Sequence, residues 1–332
     1  MEINRKKVLV TGAGGFIGSH LIEALLQMNC TVKAFIHYNS FGRWGWLDYL
    51  PKSLINQLEI FCGDIRDANG VMKATQDVSV IFHLAALIGI PYSYHSPDVY
   101  VDTNIRGTLN ILQAARRYEI EKIVHVSTSE VYGTAQFIPI TEEHPINPQS
   151  PYAATKAGAD FLALTFYRSF GTPVAIARPF NTYGPRQSSR AIIPTIITQI
   201  LNNYMPIKLG SLTPTRDLNF VKDTVNGFIR IAESDRSTGE VINLGSDKEI
   251  SIKELAQKIS TLIGRETTIQ SDNERNRPKQ SEVERLRASF IKAQELLDWK
   301  PLYTLDQGLK ETINWFNMPE NINFYKPYLY SI

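Results

Sequence analysis

Tyr152 and Lys156 stand four residues apart in the segment Ser150-Pro151-Tyr152-Ala153-Ala154-Thr155-Lys156. Pro151 suits the first position of a helix. The i, i+4 spacing then puts phenol and ammonium on one helical face. A neighbouring cation and a positive helix end both favour tyrosinate, so the spacing predicts a lowered phenol pKa and a general base usable near neutral pH. A bare Tyr-x-x-x-Lys is also a common surface pair. Here it follows a strand-like run, Ile123–Ser127, that ends in Thr128-Ser129-Glu130: two hydroxyls and a carboxylate. Brought to one place, these groups could move protons on a polyhydroxylated substrate.

A second chemical signal is Thr11-Gly12-Ala13-Gly14-Gly15-Phe16-Ile17-Gly18, between a strand-like Val8–Val10 and a helical pattern from Ile17 to about Gln27. Glycines permit a sharp turn and bring backbone N–H groups close to a pyrophosphate, and the helix N-terminus adds partial positive charge. The spacing G-x-x-G-x-x-G, through Gly12, Gly15 and Gly18, departs from the G-x-G-x-x-G dinucleotide fingerprint, whose last glycine would fall on Ile17. An acid for the ribose 2′-hydroxyl should end the next strand, Thr31–Ile36, yet no Asp or Glu occurs between Ala24 and Leu47. His37, Asn39, Ser40 and Arg43 follow instead. Without that carboxylate nothing repels a 2′-phosphate, so the expected cofactor is NAD+ or NADP+, with a slight lean to NADP+. Asp64, after a third strand at Leu58–Cys62, is a candidate adenine contact or a loop cap.

These groups need a scaffold. Further strand-like runs at Val80–Leu84 and Pro173–Arg178 alternate with helical patterns, notably Asp98–Tyr118 and Thr155–Phe170. The alternation predicts an α/β fold: a Rossmann-like, doubly wound parallel sheet with ligands beyond the carboxyl ends of its strands. After Arg178, prolines and glycines thicken as far as Pro214. Helices are expected at Ile192–Asn203, Asp223–Glu233, Ile252–Leu262 and about Leu305–Phe316, and a strand at Val241–Leu244. Ser251-Ile252-Lys253-Glu254 reads as a capping box, and Asp272 to Arg287 as a polar loop. A dinucleotide-binding domain is expected over residues 1–180, with segments about 216–245 returning to it. Residues 181–332 form mainly a smaller substrate-binding lobe.

Composition sets outer limits. The 332 residues are 43% hydrophobic and 20% charged, with a formal net charge of +2. That is globular, and gives no bulk attraction to nucleic acid. Cys30 and Cys62 show no metal-ligand spacing and read as buried thiols in a reducing compartment. Met1 to Lys7 has no signal-peptide core, and the apolar run Val80–Ile90 is too short to span a bilayer. A cytoplasmic protein without a membrane partner is expected.

The glycine turn, Phe82-His83-Leu84-Ala85-Ala86, the Ser127–Gly133 segment, Tyr152 with Lys156, and Arg178-Pro179-Phe180-Asn181-Thr182-Tyr183-Gly184-Pro185-Arg186 together resemble extended short-chain dehydrogenases/reductases acting on nucleotide sugars. The resemblance covers nearly the whole chain. It implies that Tyr152 is the base for hydride transfer, that Lys156 binds the nicotinamide ribose, and that Thr128 bonds the sugar 4-hydroxyl. It implies cofactor contacts from Gly12, Gly15, Phe16, Ile17, Gly18, His37, Asn39, Ser40, Arg43, Asp64, Ile65, Leu84, Ala85, Ala86, Ser127 and Pro179. Asn181 resembles the family's substrate-binding asparagine. Arg216, Arg277 and Arg186 are candidates for a diphosphate, since a guanidinium forks onto phosphate oxygens; Arg190 is a weaker one. The helices Asp98–Tyr118 and Thr155–Phe170 match those that pair in a four-helix homodimer interface, although Leu109, Ile111, Leu112 and Ala115 also fit a sheet-facing core.

The family oxidises C4 of the sugar and then branches. Glu130 suits a 4,6-dehydratase, in which a carboxylate takes the C5 proton acidified by the 4-keto group. In dTDP-glucose 4,6-dehydratases the triplet is Thr-Asp-Glu; Ser129 replaces the Asp here, which leaves the C6 proton donor open. GDP-mannose 4,6-dehydratases and UDP-glucuronate decarboxylases share Thr-Ser-Glu. The segments His37–Asp48, Ala86–Tyr94, Arg216–Val221 and Arg277–Val283 look most like UDP-N-acetylglucosamine 4,6-dehydratases and those of the legionaminic-acid pathway. The expected function is therefore a lyase converting UDP- or GDP-N-acetylglucosamine to its 4-keto-6-deoxy sugar. A UDP-glucuronate decarboxylase and a 4-epimerase are the alternatives, and a catalytically silent cofactor sensor or scaffold is the non-enzymatic one.

Overall fold

The computed structural model describes residues 1–330. Its first six strands are β1 (Lys7–Thr11), β2 (Thr31–His37), β3 (Leu58–Gly63), β4 (Val80–His83), β5 (Lys122–Val126) and β6 (Val174–Pro179). Then come β7 (Asn181–Tyr183), β8 (Ile207–Leu209), β9 (Thr215–Phe220), β10 (Val241–Leu244), β11 (Glu249–Ser251) and β12 (Ile269–Ser271). Seven of them make one sheet in the order β3-β2-β1-β4-β5-β6-β10, with every neighbouring pair parallel. This is the Rossmann-like doubly wound fold. The winding reverses between β1 and β4, which opens a crevice at the carboxyl ends of those strands.

Alternation within the strands explains the two apolar layers. Val8 and Val10 of β1 point into the cluster holding Leu21, Leu25 and Phe228, from helices Phe16–Gln27 and Val221–Glu233. Leu9 points the other way, with Ile81, Ile123 and the helix residues Ile111, Leu112 and Ala115. Those three helix residues are therefore sheet-facing core. The long helix before β5 is composite: an α-turn at Pro97–Tyr100, a π-turn at Val101–Arg106 and an α-helix at Gly107–Arg117. The outer sides of this helix and of Pro151–Phe170 leave Val101 46% and Phe161 56% exposed.

β7 and β11 flank β9, and β8 pairs with β12. Four of these strands have only three residues and no sequence periodicity to announce them. The capping box forms in full, Ser251 bonding the Glu254 N–H while Glu254 returns to Ser251. One expectation fails: Cys30 is buried but Cys62 is exposed, because it occupies an outward position on edge strand β3, where nothing covers it. Among the described residues no helix is long and apolar enough to cross a membrane.

The loop after β2 folds back onto the glycine turn. Trp46 N–H donates to the Gly14 carbonyl at 2.9 Å, and a Cβ on Gly14 would collide with the Trp44 carbonyl. Trp46 is held from outside by Trp315 at 5.6 Å and Phe324 at 5.5 Å between ring centroids. The extra glycine of the turn thus serves a backbone-to-backbone contact.

Candidate active site

β5 delivers Ser127, Thr128, Ser129 and Glu130 to the sheet mouth. The Ser127 hydroxyl donates to Asp160 Oδ2 at 2.7 Å. Thr128 is extended and caps a short 3-10 turn, Ser129–Tyr132, by accepting the Glu130 N–H at 3.2 Å. That turn carries the Glu130 side chain into the cleft beside Tyr152. Glu130 is buried, and its charge favours the guanidinium of Arg216.

The Pro151–Phe170 helix starts where Ser150 accepts the Ala153 N–H at 3.1 Å and Pro151 fills the first turn. Tyr152 and Lys156 are buried on its inner face. Lys156 donates to the Val126 carbonyl at 2.7 Å. Burial brings its pKa down to about 8, opposed by the charge of Asp160. The phenol departs from the sequence expectation: burial pushes the Tyr152 pKa up rather than down, with Thr128 pulling the other way and Glu130 adding to the rise. Spacing put an ammonium on the right face, but the ammonium turns to a backbone carbonyl, and desolvation of the phenolate outweighs the rest.

A cleft of about 670 Å³ runs from the glycine turn to these groups, lined by Gly12, Gly15, Phe16, Ile17, Gly18, Leu84, Ala85, Ala86, Ser127, Thr128, Ser129, Tyr152, Lys156 and Pro179. His37, Asn39 and Arg43 line its far end. Gly12 has φ +68°, a left-handed conformation that suits glycine. The helix from Phe16 has Gly15 as N-cap, no side-chain cap bond and no acid in its first turn. Its first N–H groups therefore lack a side-chain cap and can receive an anion. The cradle fits a dinucleotide pyrophosphate. Among the described residues no carboxylate lines the far end, and the Asn39 amide is spent on its own loop, donating to the Arg43 carbonyl at 2.7 Å.

A second cleft of about 300 Å³ joins the first through Pro91, Glu130, Asn181, Thr182, Gln187, Arg190, Ala191 and Arg277, and adds Arg216 and Glu282. Glu282 Oε1 lies 3.0 Å from Arg216 Nη2 and 3.6 Å from Arg277 Nη1, holding both guanidiniums at the cleft wall. Asn181 Oδ1, Gln187 Oε1 and Arg277 Nη1 are buried without a hydrogen-bond partner among the described residues. Buried polar atoms seldom stay unpaired, so three of them around one cavity mark it as a place for a polar ligand.

The family model for GDP-mannose 4,6 dehydratase matches residues 9–312. The chain belongs to this family, among the extended short-chain dehydrogenases/reductases. It is 35% identical over 315 residues to a putative UDP-glucose 4-epimerase of Methanocaldococcus jannaschii, covering 93% of this chain and 97% of that one. A solved dTDP-glucose 4,6-dehydratase of Bacillus anthracis, in complex with NAD, superposes with a TM-score of 0.84 at 30% identity, covering 97% of this chain and 99% of that one. A UDP-N-acetylglucosamine 4-epimerase of Methanobrevibacter ruminantium, in complex with UDP-N-acetylmuramic acid, superposes with a TM-score of 0.85 at 32% identity, covering 94% and 98%. This is a family of NAD-dependent nucleotide-sugar dehydratases and epimerases.

Within this dehydratase/epimerase frame some expected residues fall elsewhere. Arg186 lines neither cleft; its Nη1 is held by Glu23 at 2.7 Å and Ser19 at 3.2 Å, on the first helix. Its partner is 163 residues away in sequence, which no local pattern reveals. Ser40, Asp64 and Ile65 are also absent from the cleft walls. Asp64 is occupied by Arg66 at 2.6 Å, the bond that keeps its carboxyl below the usual range. Gln187, and Arg190 more strongly than expected, belong to both clefts. The glutamine carried no signal by itself.

Proposed function

We propose that the chain is a nucleotide-sugar 4,6-dehydratase, converting UDP- or GDP-N-acetylglucosamine to the 4-keto-6-deoxy sugar. The observation that carries this reading is the Glu130 carboxylate, buried beside Tyr152 where the two clefts meet. A nicotinamide dinucleotide held by the glycine turn and the Leu84–Ala86 wall would supply reversible hydride acceptance, from C4 and back to C6, without net consumption. Tyr152, within reach of Thr128, takes the 4-hydroxyl proton. Glu130 removes the C5 proton, made acidic by the 4-keto group, and the C6 hydroxyl takes up a proton, for which Ser129 is the neighbouring relay, and leaves as water; once hydride has added at C6, C5 takes a proton of solvent origin. Asn181, Arg216 and Arg277 hold the sugar diphosphate. Arg216 and Arg277, preset by Glu282, supply the charge.

The free phenol is held neutral by burial, so its basicity develops in the filled site. The cofactor is NAD: the solved dehydratase relative contains it. The expected lean to NADP finds no support in that relative, an NAD complex, although Arg43 lines the far end of the cofactor cleft as expected. Comparing NAD and NADP dissociation constants tests this. A homodimer through the Pro97–Arg117 and Pro151–Phe170 helices is proposed from the family resemblance and from the outward Val101 and Phe161.

A 4-epimerase is the second reading, favoured by the names of two of the relatives above. In it Glu130 takes no proton from C5. Incubation with UDP- and GDP-N-acetylglucosamine followed by product mass separates the two. Loss of water supports the dehydratase; an unchanged mass with inverted C4 supports the epimerase.

A further inference from the structure

One buried charge near the reacting groups lines neither cleft. Asp160 is 1% exposed and lies one helical turn beyond Lys156. Its Oδ2 gathers the Ser127 hydroxyl at 2.7 Å, Arg178 Nε at 3.1 Å and Arg178 Nη2 at 2.9 Å. Its Oδ1 has no hydrogen-bond partner among the described residues and sits 3.3 Å from His125 Nε2. Arg178 passes its remaining nitrogen, Nη1, to the Tyr132 hydroxyl at 2.9 Å. One carboxylate oxygen thus ties the catalytic helix to β5 and β6 at the level of Val126, whose carbonyl receives Lys156.

Lys156 and Arg178 are two buried cations, and Asp160 is the fully buried anion they share; the part-buried Glu142 carboxylate also favours Arg178, whereas Asp160 alone opposes the desolvation of Lys156. The other titratable groups facing Lys156 are neutral: Tyr152 on its own helix, His83 from β4 and His125 from β5, all kept so chiefly by burial. A cation in a dry interior sheds its proton unless an anion compensates it. Arginine cannot do so, and lysine can.

We propose that Asp160 is a positioning residue that touches no ligand, keeps Lys156 an ammonium and locks Ser127 and Arg178 into the mouth of the sheet. The proposal rests on the reading of Tyr152 and Lys156 as the reacting pair. An asparagine at 160 keeps the shape and one acceptor but removes the anion. Both cations would then lose their shared anion, and Lys156 would lose its proton at a lower pH.

Two measurements on the full chain test this. The first needs no cofactor or substrate: thermal unfolding of the wild type, Asp160→Asn, Lys156→Met and the double variant. Asp160→Asn lowers Tm, and adding Lys156→Met restores part of the loss, because the double variant returns to the wild-type net buried charge. Additive losses overturn the proposal. If Asp160→Asn alone does not fold, a double variant that folds supports the proposal, and one that does not overturns it. The second measurement is the pH profile of kcat/KM. The alkaline limb moves down by about one pH unit in Asp160→Asn, an approximately tenfold loss above the limb. Tyr132→Phe, which loosens Arg178 and leaves the anion in place, keeps the limb where it was. A limb that stays put in Asp160→Asn overturns the proposal. Non-additive stability without turnover on any nucleotide sugar counts against the functional reading and leaves the ionic coupling standing.

Discussion

The Thr11 hydroxyl oxygen lies 2.8 Å from Nδ1 of His83 and accepts the N–H groups of Leu84 and Ala85 at 3.1 and 3.0 Å. With both N–H groups accepted, the one hydroxyl proton goes to Nδ1. Nε2 then carries the imidazole proton and donates to Thr108 Oγ1 at 3.1 Å, which donates to the Asn104 carbonyl at 2.6 Å. The tautomer is assigned by the network. Burial holds the His83 pKa well below its ordinary value. This chain bolts the glycine turn, the Leu84–Ala86 wall of the cofactor cleft and the composite helix to one another.

Breaking that bolt should cost stability and cofactor affinity together. His83→Phe leaves the hydroxyl proton of Thr11 and the acceptor of Thr108 unpaired in a dry core, at about 1–3 kcal/mol for each unsatisfied group. Urea unfolding midpoints and a cofactor titration check it. The expected result is a lower midpoint and weaker cofactor binding. An unchanged midpoint contradicts the assignment.

His20 gives a pH test of the contact between the first helix and the Pro185 segment. Its Nε2 lies 3.0 Å from the Pro185 carbonyl, and burial, with Arg186 second, lowers its pKa to about 4. The unfolded chain takes up this proton near pH 6.5 and the folded one only near 4, so stability is present above 6.5 and is lost as pH falls between the two. His20→Gln should flatten that part of the stability curve, by about 2–3 kcal/mol at pH 4. Parallel curves for variant and wild type would count against a buried neutral imidazole.

The arginines should separate by position. Arg216→Ala removes a guanidinium from the second cleft and should raise KM for the nucleotide sugar at least tenfold, about 1.4 kcal/mol. Arg186→Ala should leave KM within about twofold and instead lower Tm, since it frees Glu23 on the first helix. Initial rates over a substrate series decide. A larger KM effect at Arg186 than at Arg216 would reverse the placement of the diphosphate.

Much of this was legible in the sequence, for physical reasons that also mark where it stopped. The strands at Val8–Val10 and Thr31–Ile36 are apolar runs bounded by turns, and burial on both faces writes such runs directly. Ser251 and Glu254 announced their helix because a capping box is local. The strands Asn181–Tyr183 and Ile269–Ser271 are too short to show a period and exist only through partners far along the chain. Arg186 had the right chemistry, but Glu23 claims it. Tyr152 and Lys156 sat at the right spacing, yet the phenol's proton affinity follows from burial, which spacing does not encode. Gly14 lies outside the Gly12, Gly15 and Gly18 spacing, and only the folded loop brings the Trp44 carbonyl against it.

Glu130→Gln should separate oxidation from elimination. Tyr152 and Lys156 remain, so C4 is still oxidised, and the C5 proton then has no acceptor. Reduced nicotinamide should accumulate on the enzyme, visible by its absorbance, while release of the dehydrated product falls by about 10²–10⁴-fold. Full turnover in the variant would refute the role given to the carboxylate.

The central claim is that Tyr152 and Glu130 act on one hexose to eliminate water. The most direct measurement is the product mass after the wild-type enzyme is incubated with UDP-N-acetylglucosamine or GDP-N-acetylglucosamine in deuterated water. The account predicts a product lighter by one water, carrying one solvent deuterium at C5. A product of unchanged sugar composition with C4 inverted and no deuterium at C5 would contradict it.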